Sequence, residues 1–383
     1  VQDGIAERFY TRLRCLMKNL RVGDPLDKCT DIGAIIDPAQ RANIAAIVDG
    51  NQEGETFRTD APEGCFYPPT LITGLSPANP LMQDEIFGPV LVAATFRTPD
   101  EAVQMANNTR YGLAASVWSE NINLALDVAP NLAAGVVWVK GTNMMDAAAG
   151  FGGVRDSGFG REGGWEGLRA YTKPAQTPKT DALPKHSEPT GTTATDPIDR
   201  TAKMYIGGKQ TRPDSGYSIP VFSAKGKLLG QVGDGNRKDI RNAVEAAVKA
   251  AGWAKTTGHL RAQILYYMAE NLSARVDEFT ARLTSAGHTP KAASAEVDVS
   301  LSRLFTYAAW ADKYDGAAKG VPLRGIALAM NDPVGTIAAL CPDADPLLGL
   351  VGLMAPAIAM GNRITALAST AFPLAATDFI QIL

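Results

Sequence analysis

The sequence predicts an α/β fold in two modules, the first with a largely parallel sheet and both with helices beside their strands. Three observations predict it. Residues 1–172 alternate helix-period and strand-like segments in a βαβ rhythm, which implies a largely parallel sheet. Residues 201–383 run through short strands, amphipathic helices, a strand and a buried helix. Between them lies 173–200, KPAQTPKTDALPKHSEPTGTTATDPIDR, whose five prolines, many threonines and few large apolar residues read as a linker.

In order along the first module, Ile5, Phe9, Leu13, Leu16 and Leu20 recur at helical spacing and predict a helix. GPVLVAATF, after a turn, reads as a buried strand. Thr98 then caps a helix with Pro99 at its first position. GLAASVWS and GVVWVK read as two more buried strands. In the second module KMYIGGK and GYSIPVFS are strand signals around a turn-rich stretch. A helix starts at Asn236, with Ile240, Ala243, Val244, Ala247, Val248 and Ala251 as its apolar stripe. A longer amphipathic helix carries Ile264, Leu265, Met268, Leu272, Val276 and Phe279 on one face. VGTIAALCP reads as a strand, and Leu347 to Ala359 as a buried helix ending at Gly361.

The bulk numbers exclude several classes. At 383 residues the chain can bury large cores, and 45% hydrophobic with 20% charged residues is an ordinary globular composition. A net charge of −3 offers nothing to nucleic acid or an anionic membrane. The apolar region Val334–Met360 is cut by Pro342, Asp343, Asp345 and Pro346, so it reads as core and not as a membrane span. Cys15, Cys29, Cys65 and Cys341 form no CxxC pair, and there are only 3 histidines, so neither a zinc site nor a disulfide framework is expected. That pattern points to a reducing, cytoplasmic setting. Val1 is not an initiator Met, VQDGIAERF is no signal peptide, and the chain stops inside the helix-like FIQIL, so a fragment of a longer protein is expected.

Four motifs carry possible chemistry. GFGREG (158–163) spells GxGxxG, but no apolar strand leads into it and another glycine pair, Gly152-Gly153, precedes it, so a structural turn is the reading. DADP (343–346) lacks the rest of a calcium-loop spacing and reads as a solvated loop. No Ser-His-Asp or Cys-His signature surrounds any cysteine, so each is read as structural or inert. MQDEIFGPVLV (82–92) places Glu85 and Phe87 before a Gly-Pro turn. An acid before a turn is an ordinary surface feature. A carboxylate also accepts two hydrogen bonds at once, which suits a ribose diol, and a ring two residues on can lie against a flat ligand. Spacing alone is compatible with both.

Taken in order, GCFYPPTLI (64–72), MQDEIFGPVL (82–91), ANNTRYGLAASVWS (106–119), AGVVWVK (134–140) and FGGVRDSGFGREGGWEGLRAYT (151–172) closely resemble the C-terminal half of the catalytic domain of NAD(P)-dependent aldehyde dehydrogenases. The resemblance implies that Glu85 holds the nicotinamide ribose and Phe87 contacts the nicotinamide. It implies a substrate-entrance loop at Asn143–Gly150 ahead of Phe151, with Met144 and Met145 in it; both methionines are equally compatible with loop or core filling. It further implies Rossmann-like sheets, NAD or NADP as cofactor, a small aldehyde substrate, a homo-oligomer (a dimer favoured), and a cysteine nucleophile and general-base glutamate upstream of Val1.

Residues 201–383 are similar to the N-terminal half of the same family, through KMYIGGK, DGNRKDIRNAVEAAVKAA, RAQILYYMAENLSARVDEF, YAAWADKYDG, DPVGTIAALCP and APAIAMGN. The order C-half, linker, N-half fits a circular permutation or, better, a tandem duplication cut at both ends, as in family 16 aldehyde dehydrogenases. The second module departs from the family where chemistry needs it. Pro-Trp-Asn-Phe-Pro, whose Asn helps form an oxyanion hole, stands here as Pro342-Asp343-Ala344-Asp345-Pro346. Losing one such donor costs about 3–4 kcal/mol of transition-state stabilisation. Lys-Pro-(Ala/Ser)-Glu, which binds the adenosine ribose, stands as Leu367-Ala368-Ser369-Thr370. The expectation is a working first module with a non-catalytic second one; the alternative is a pseudoenzyme, a structural or interaction protein on the same fold.

Overall fold

The computed structural model describes residues 1–173, 201–223, 225–314, 316–322 and 325–382. Most of the expected linker therefore lies outside the described residues. The chain divides into two compact units, Val1–Ala175 with Lys319–Ala327, and Gln176–Ala318 with Leu328–Leu383.

The first unit runs α1 (Ala6–Met17), α2 (Pro38–Asp49), β1 (Glu55–Arg58), β2 (Thr70–Thr73), β3 (Val90–Ala93), α3 (Pro99–Asn107), β4 (Ala114–Val117), α4 (Ile122–Val128), β5 (Val136–Val139) and α5 (Gly164–Arg169). β1 pairs β2 antiparallel, β2 pairs β3 in parallel, and β4 pairs β5 in parallel. The β4–β5 pair is joined through α4, as the βαβ rhythm requires, whereas β2 and β3 are joined by a loop holding only a short 3-10 turn at Pro80–Met82. Helix α3 starts where the sequence says, with the Thr98 hydroxyl accepting from the Glu101 N–H and Pro99 at the first position. The core of this unit is Ile44 and Val48 of α2 packed on Tyr67, Ile72, Leu75, Leu81 and Ile86.

In the second unit, β6 (Met204–Ile206) and β7 (Lys209–Thr211) form a hairpin turned at Gly207-Gly208, and β8 (Ser218–Phe222) pairs antiparallel with β9 (Leu228–Gly233). Helices α6 (Arg237–Lys249), α7 (Gly258–Ser273), α8 (Val276–Ala286) and α9 (Pro290–Ala311) follow. Strands β10 (Gly316–Gly320) and β11 (Ile326–Met330), of which residues 319–320 and 326–327 are assigned to the first unit, pair next. Then β12 (Thr336–Leu340) and β13 (Arg363–Leu367) pair in parallel around α10 (Pro346–Ala359), and α11 (Pro373–Gln381) closes the chain. Asn236 and Asp239 make a full capping box at α6. The core is α10 packed on α7, α8, α9 and α11: Leu265, Leu272, Phe279, Leu283, Val297, Leu304, Leu347, Val351 and Phe379 are buried.

Four expectations are corrected. The α1 stripe is not the buried face: Ile5, Phe9, Leu16 and Leu20 are exposed, and Ala6, Tyr10 and Met17 are buried. Helical period tells which residues share a face, but not which face something covers. The α6 stripe likewise leaves Ile240, Val244 and Val248 exposed. The three strands read as buried in the first unit, β3, β4 and β5, are only half-buried, with Leu91 exposed and β4 alternating exposed and half-buried residues, whereas β2 is buried throughout. Their apolar runs suit a sheet covered on both faces, and the described residues cover them incompletely. The long helix expected over 264–279 is broken into α7 and α8 at Ala274-Arg275, while Leu265, Met268, Leu272 and Phe279 keep to one core. Among the described residues no helix is long and apolar enough to cross a membrane.

Candidate functional site

The 82–92 stretch is built from below. Asn79 accepts from the Leu81 N–H and donates to Asn51 Oδ1 (2.9 Å) and Glu53 Oε2 (2.8 Å), fixing a short 3-10 turn at Pro80–Met82. The Asn79 amide and then the Ser76 N–H hold the Glu53 carboxyl below its ordinary value. Asp84 N–H donates back to the Pro80 carbonyl at 2.8 Å. Ile86 is the anchor, buried in the α2 cluster. Gln40 of α2 donates its amide to the carbonyls of Ile86 and Phe87, at 3.4 Å each. Gly88 lies against Ile44 so closely that a Cβ would stand 2.6 Å from Ile44 Cδ1.

This clamp forces Phe87 into the left-handed region, with φ +56°. A non-glycine residue there costs about 1–2 kcal/mol. The strain is held by the buried neighbours on either side. Its consequence is that Phe87 is 72% exposed, and Glu85 beside it is exposed with no hydrogen-bond partner among the described residues. An exposed carboxylate next to a presented ring offers acceptors for the two hydroxyls of a diol and a face for a flat heteroaromatic ring. The residues fit a dinucleotide's nicotinamide end.

The second predicted cluster lies on the loop after β5. Lys140 (φ +55°) and Asn143 (φ +53°) bend it sharply, and the Trp138 indole N–H donates to the Met144 carbonyl at 2.9 Å. Met144 and Met145 are both about half exposed, whereas Phe151 is half-buried and exchanges backbone hydrogen bonds with Glu162 (2.7 and 2.8 Å). Among the described residues, no hydrogen bond or ring contact joins this loop to Glu85 or Phe87. GFGREG is a turn, as read: Gly158 and Gly163 have positive φ, and Glu162 closes the bridge to Phe151. Close approach makes glycine necessary outside that string, since a Cβ on Gly152 would stand 2.1 Å from the Gly160 carbonyl oxygen and one on Gly135 1.8 Å from the Gly152 carbonyl oxygen.

In the second unit, Asp343 is consumed structurally. Its Oδ1 accepts from Ser369 Oγ (2.7 Å), Thr370 Oγ1 (3.4 Å) and the Ala371 N–H (3.1 Å), and the Ser369 hydroxyl above all keeps its carboxyl below the usual range. Asp345 sits at the N-cap of α10 with φ +50° and makes no side-chain cap. The capping acceptor comes instead from Glu296 of α9, whose Oε1 takes the N–H groups of Leu347 (2.7 Å) and Leu348 (3.2 Å). A cleft of roughly 1950 Å³ in this unit is lined by Ile240, Ala243 and Ala247 of α6 and by Leu367, Ser369 and Thr370, among others. The α6 stripe therefore faces this cleft. Burial raises the Cys341 thiol above its ordinary value, away from the reactive thiolate.

Gln40 and Glu296 escaped the sequence reading. Each acts on backbone atoms 46 or more residues away, and a lone Gln or Glu on a helix carries no spacing signal.

The model of the aldehyde dehydrogenase family matches residues 1–177 and 211–383. The chain is 39% identical over 172 residues to aldehyde dehydrogenase B of Escherichia coli K12, covering 42% of this chain and 33% of that protein. It is 36% identical over 182 residues to betaine aldehyde dehydrogenase of Bacillus subtilis 168, covering 45% and 37%. It is 38% identical over 183 residues to mitochondrial 10-formyltetrahydrofolate dehydrogenase of Mus musculus, covering 45% and 20%. Among solved structures, Staphylococcus aureus betaine aldehyde dehydrogenase in complex with NAD+ is 34% identical, with TM-score 0.42, covering 45% of this chain and 36% of that one. The chain thus spans between 20% and 37% of the length of these curated relatives.

Proposed function

This chain belongs to the aldehyde dehydrogenase family, and from that premise we propose that its first unit supplies the nicotinamide-holding edge of an NAD(P)-dependent aldehyde oxidation. The observation that carries the reading is the pairing of an exposed Glu85, without a hydrogen-bond partner among the described residues, with a Phe87 ring presented by a strained, clamped turn. Glu85 would accept the hydroxyls of the nicotinamide ribose, and Phe87 would lie against the nicotinamide. The dinucleotide, when bound, supplies the hydride acceptor. Holding that ring in one orientation is how a residue of this kind raises rate, since a well-placed reactant lowers the entropic part of the barrier. Met144, Met145 and Phe151 would border the aldehyde's approach.

No cysteine of this chain is assigned the nucleophile: Cys15, Cys29 and Cys65 lack the sequence context of the family's nucleophile, and the Cys341 thiol is held protonated by burial. The thiohemiacetal and thioester steps belong to a cysteine upstream of Val1. The second unit is read as a non-catalytic module following the catalytic one. Asp343 is tied into the 369–371 loop, Ala344 offers no donor, and Leu367 carries no charge towards a ribose. A small aldehyde substrate, a cytoplasmic location and a homodimer form part of the same reading.

The test is Glu85→Gln in the protein that contains this chain together with its upstream cysteine. Losing a charge-assisted pair of hydrogen bonds is worth about 1.5–3 kcal/mol, so KM for NAD+ rises about 10- to 100-fold. An unchanged KM and kcat would remove Glu85 from the cofactor site. Aldehyde-dependent NADH formation by the 383-residue chain alone would overturn the assignment of the nucleophile.

A further inference from the structure

His288, Glu296 and Asp345 come together at the start of α10, outside every residue assigned above to cofactor or substrate. One ligand atom from each lies within 4.8 Å of the others. Three separate local structures bring them there. Gly287 (φ +129°) ends α8 and turns the chain, and His288 N–H closes that turn on the Leu283 carbonyl. The Phe372 ring packs edge-on against the imidazole with centroids 5.6 Å apart, which sets the plane of the histidine ring. Glu296 lies two turns into α9, and Asp345 is bent into the left-handed region just before Pro346.

The decisive atom is Glu296 Oε2. The residue is 4% exposed, and its Oε1 is fixed by the N–H groups of Leu347 and Leu348. Oε2 is buried and has no hydrogen-bond partner among the described residues. His288 Nδ1 is 3.7 Å away, too far for a hydrogen bond. A buried carboxylate oxygen left in this way costs free energy unless something positive meets it.

We propose that His288 Nδ1, Glu296 Oε2 and the Asp345 carboxylate form a binding site for a first-row divalent cation of the zinc type. The geometry and the charge both point there. Zinc–nitrogen and zinc–oxygen bonds are about 2.0–2.2 Å, so two ligands on one tetrahedral ion stand about 3.4 Å apart. The His288–Glu296 separation of 3.7 Å is close to that. The ligand atom of the exposed Asp345 lies within 4.8 Å of the other two, and its side chain has to swing in to complete the site. A neutral imidazole and two carboxylates balance a doubly charged ion, and Oε1, still occupied by two backbone N–H groups, orients the carboxylate that binds. Calcium needs six to eight oxygens, more than the three donors here provide. The sequence argument against zinc rested on missing CxxC pairs and few histidines, and this cluster uses neither signal: its members are 8 and 49 residues apart, on three elements.

The test uses the full 383-residue chain, stripped with EDTA, with its four cysteines alkylated so that thiols take up no metal. Equilibrium dialysis against zinc chloride, read by elemental analysis, is expected to give one zinc per chain, and thermal melting is expected to rise by roughly 5 °C at saturating zinc. Glu296→Gln and His288→Gln are expected to weaken binding at least tenfold, and Asp345→Asn, a change at an exposed side chain, to weaken it without altering the metal-free melt. Cobalt in place of zinc should show tetrahedral absorption bands. No uptake at micromolar zinc would leave a histidine–glutamate ion pair and sink the proposal. Uptake that is equally strong in Asp345→Asn and His288→Gln would place the metal elsewhere and sink it too.

Discussion

Gly135→Ala should be among the most damaging single-methyl additions to the first unit. A Cβ on Gly135 would stand 1.8 Å from the Gly152 carbonyl oxygen and 3.0 Å from Gly153 Cα. Real Cβ atoms do not come within about 3.0 Å of such an atom, so the two backbones must part by about 1.2 Å. Neither side is free to move. Gly135 N–H bonds the Gly112 carbonyl at 3.1 Å, Val154 N–H bonds the same carbonyl at 2.9 Å, and Phe151 and Glu162 are doubly bonded next to Gly152. Losing two of these backbone bonds costs about 2 kcal/mol. Residual overpacking adds about 1–3, and the stiffer unfolded chain returns about 0.5–1. The net loss is about 3 kcal/mol. With a urea slope of about 2–3 kcal/mol per molar, the midpoint of this unit falls by about 1–1.5 M. The control is Gly160→Ala in the same glycine-rich loop, where nothing lies within 4 Å of the new methyl and φ is ordinary. It should stay within about 0.5 kcal/mol of the parent. Urea unfolding followed by circular dichroism, with thermolysin cleavage in the 150–163 loop as a local readout, measures both. Equal midpoints for the two variants would refute the reasoning that backbone approach, and not turn conformation, makes these glycines necessary.

Arg282→Met should destabilise the second unit by about 2–3 kcal/mol at neutral pH, because it strands the largely buried Asp378 carboxylate that Arg282 Nε meets at 2.6 Å. Burial already raises the Asp378 pKa against the pull of Arg282. An acid raised on folding takes up protons as the protein folds, so its contribution falls as pH rises through the carboxylate range. Removing the arginine widens that window, and melts of the variant and parent should converge towards pH 4 and separate at pH 7. Asn79→Ala should cost about 1–3 kcal/mol through its lost buried bonds. Glu53, held low by Asn79, contributes stability above about pH 4 that disappears in acid, so the acid limb of the melting curve should flatten in this variant. Glu85→Gln should leave the urea midpoint unchanged within error, because none of the described residues bonds that carboxylate; a shifted midpoint would indicate a structural role.

The parts of the fold that were legible in the sequence are those written locally. Thr98-Pro99 and the Asn236–Asp239 box cap their helices where the residues say, and the unbroken apolar run at 347–359 becomes the centre of the second core. The faces of α1 and α6 were not legible, because a stripe of Ile, Leu and Val is buried only if another element arrives to cover it. The site divides in the same way. Glu85 and Phe87 stand in one contiguous, recognisable string. The Gln40 clamp that presents them comes from α2, and the Glu296 cap of α10 comes from α9. Both are contacts of a long polar side chain to distant backbone, and one-dimensional spacing contains no trace of them.

The left-handed backbone at Phe87 has a consequence for directed evolution. Glycine fits that conformation without strain and asparagine does so with little, and with the ring already in solvent, trimming it sacrifices almost no packing. A library selected for heat resistance alone should therefore drift to Gly or Asn at 87. A library that must also turn over cofactor should hold Phe. The residue recovered at that one codon would report which pressure the population had felt.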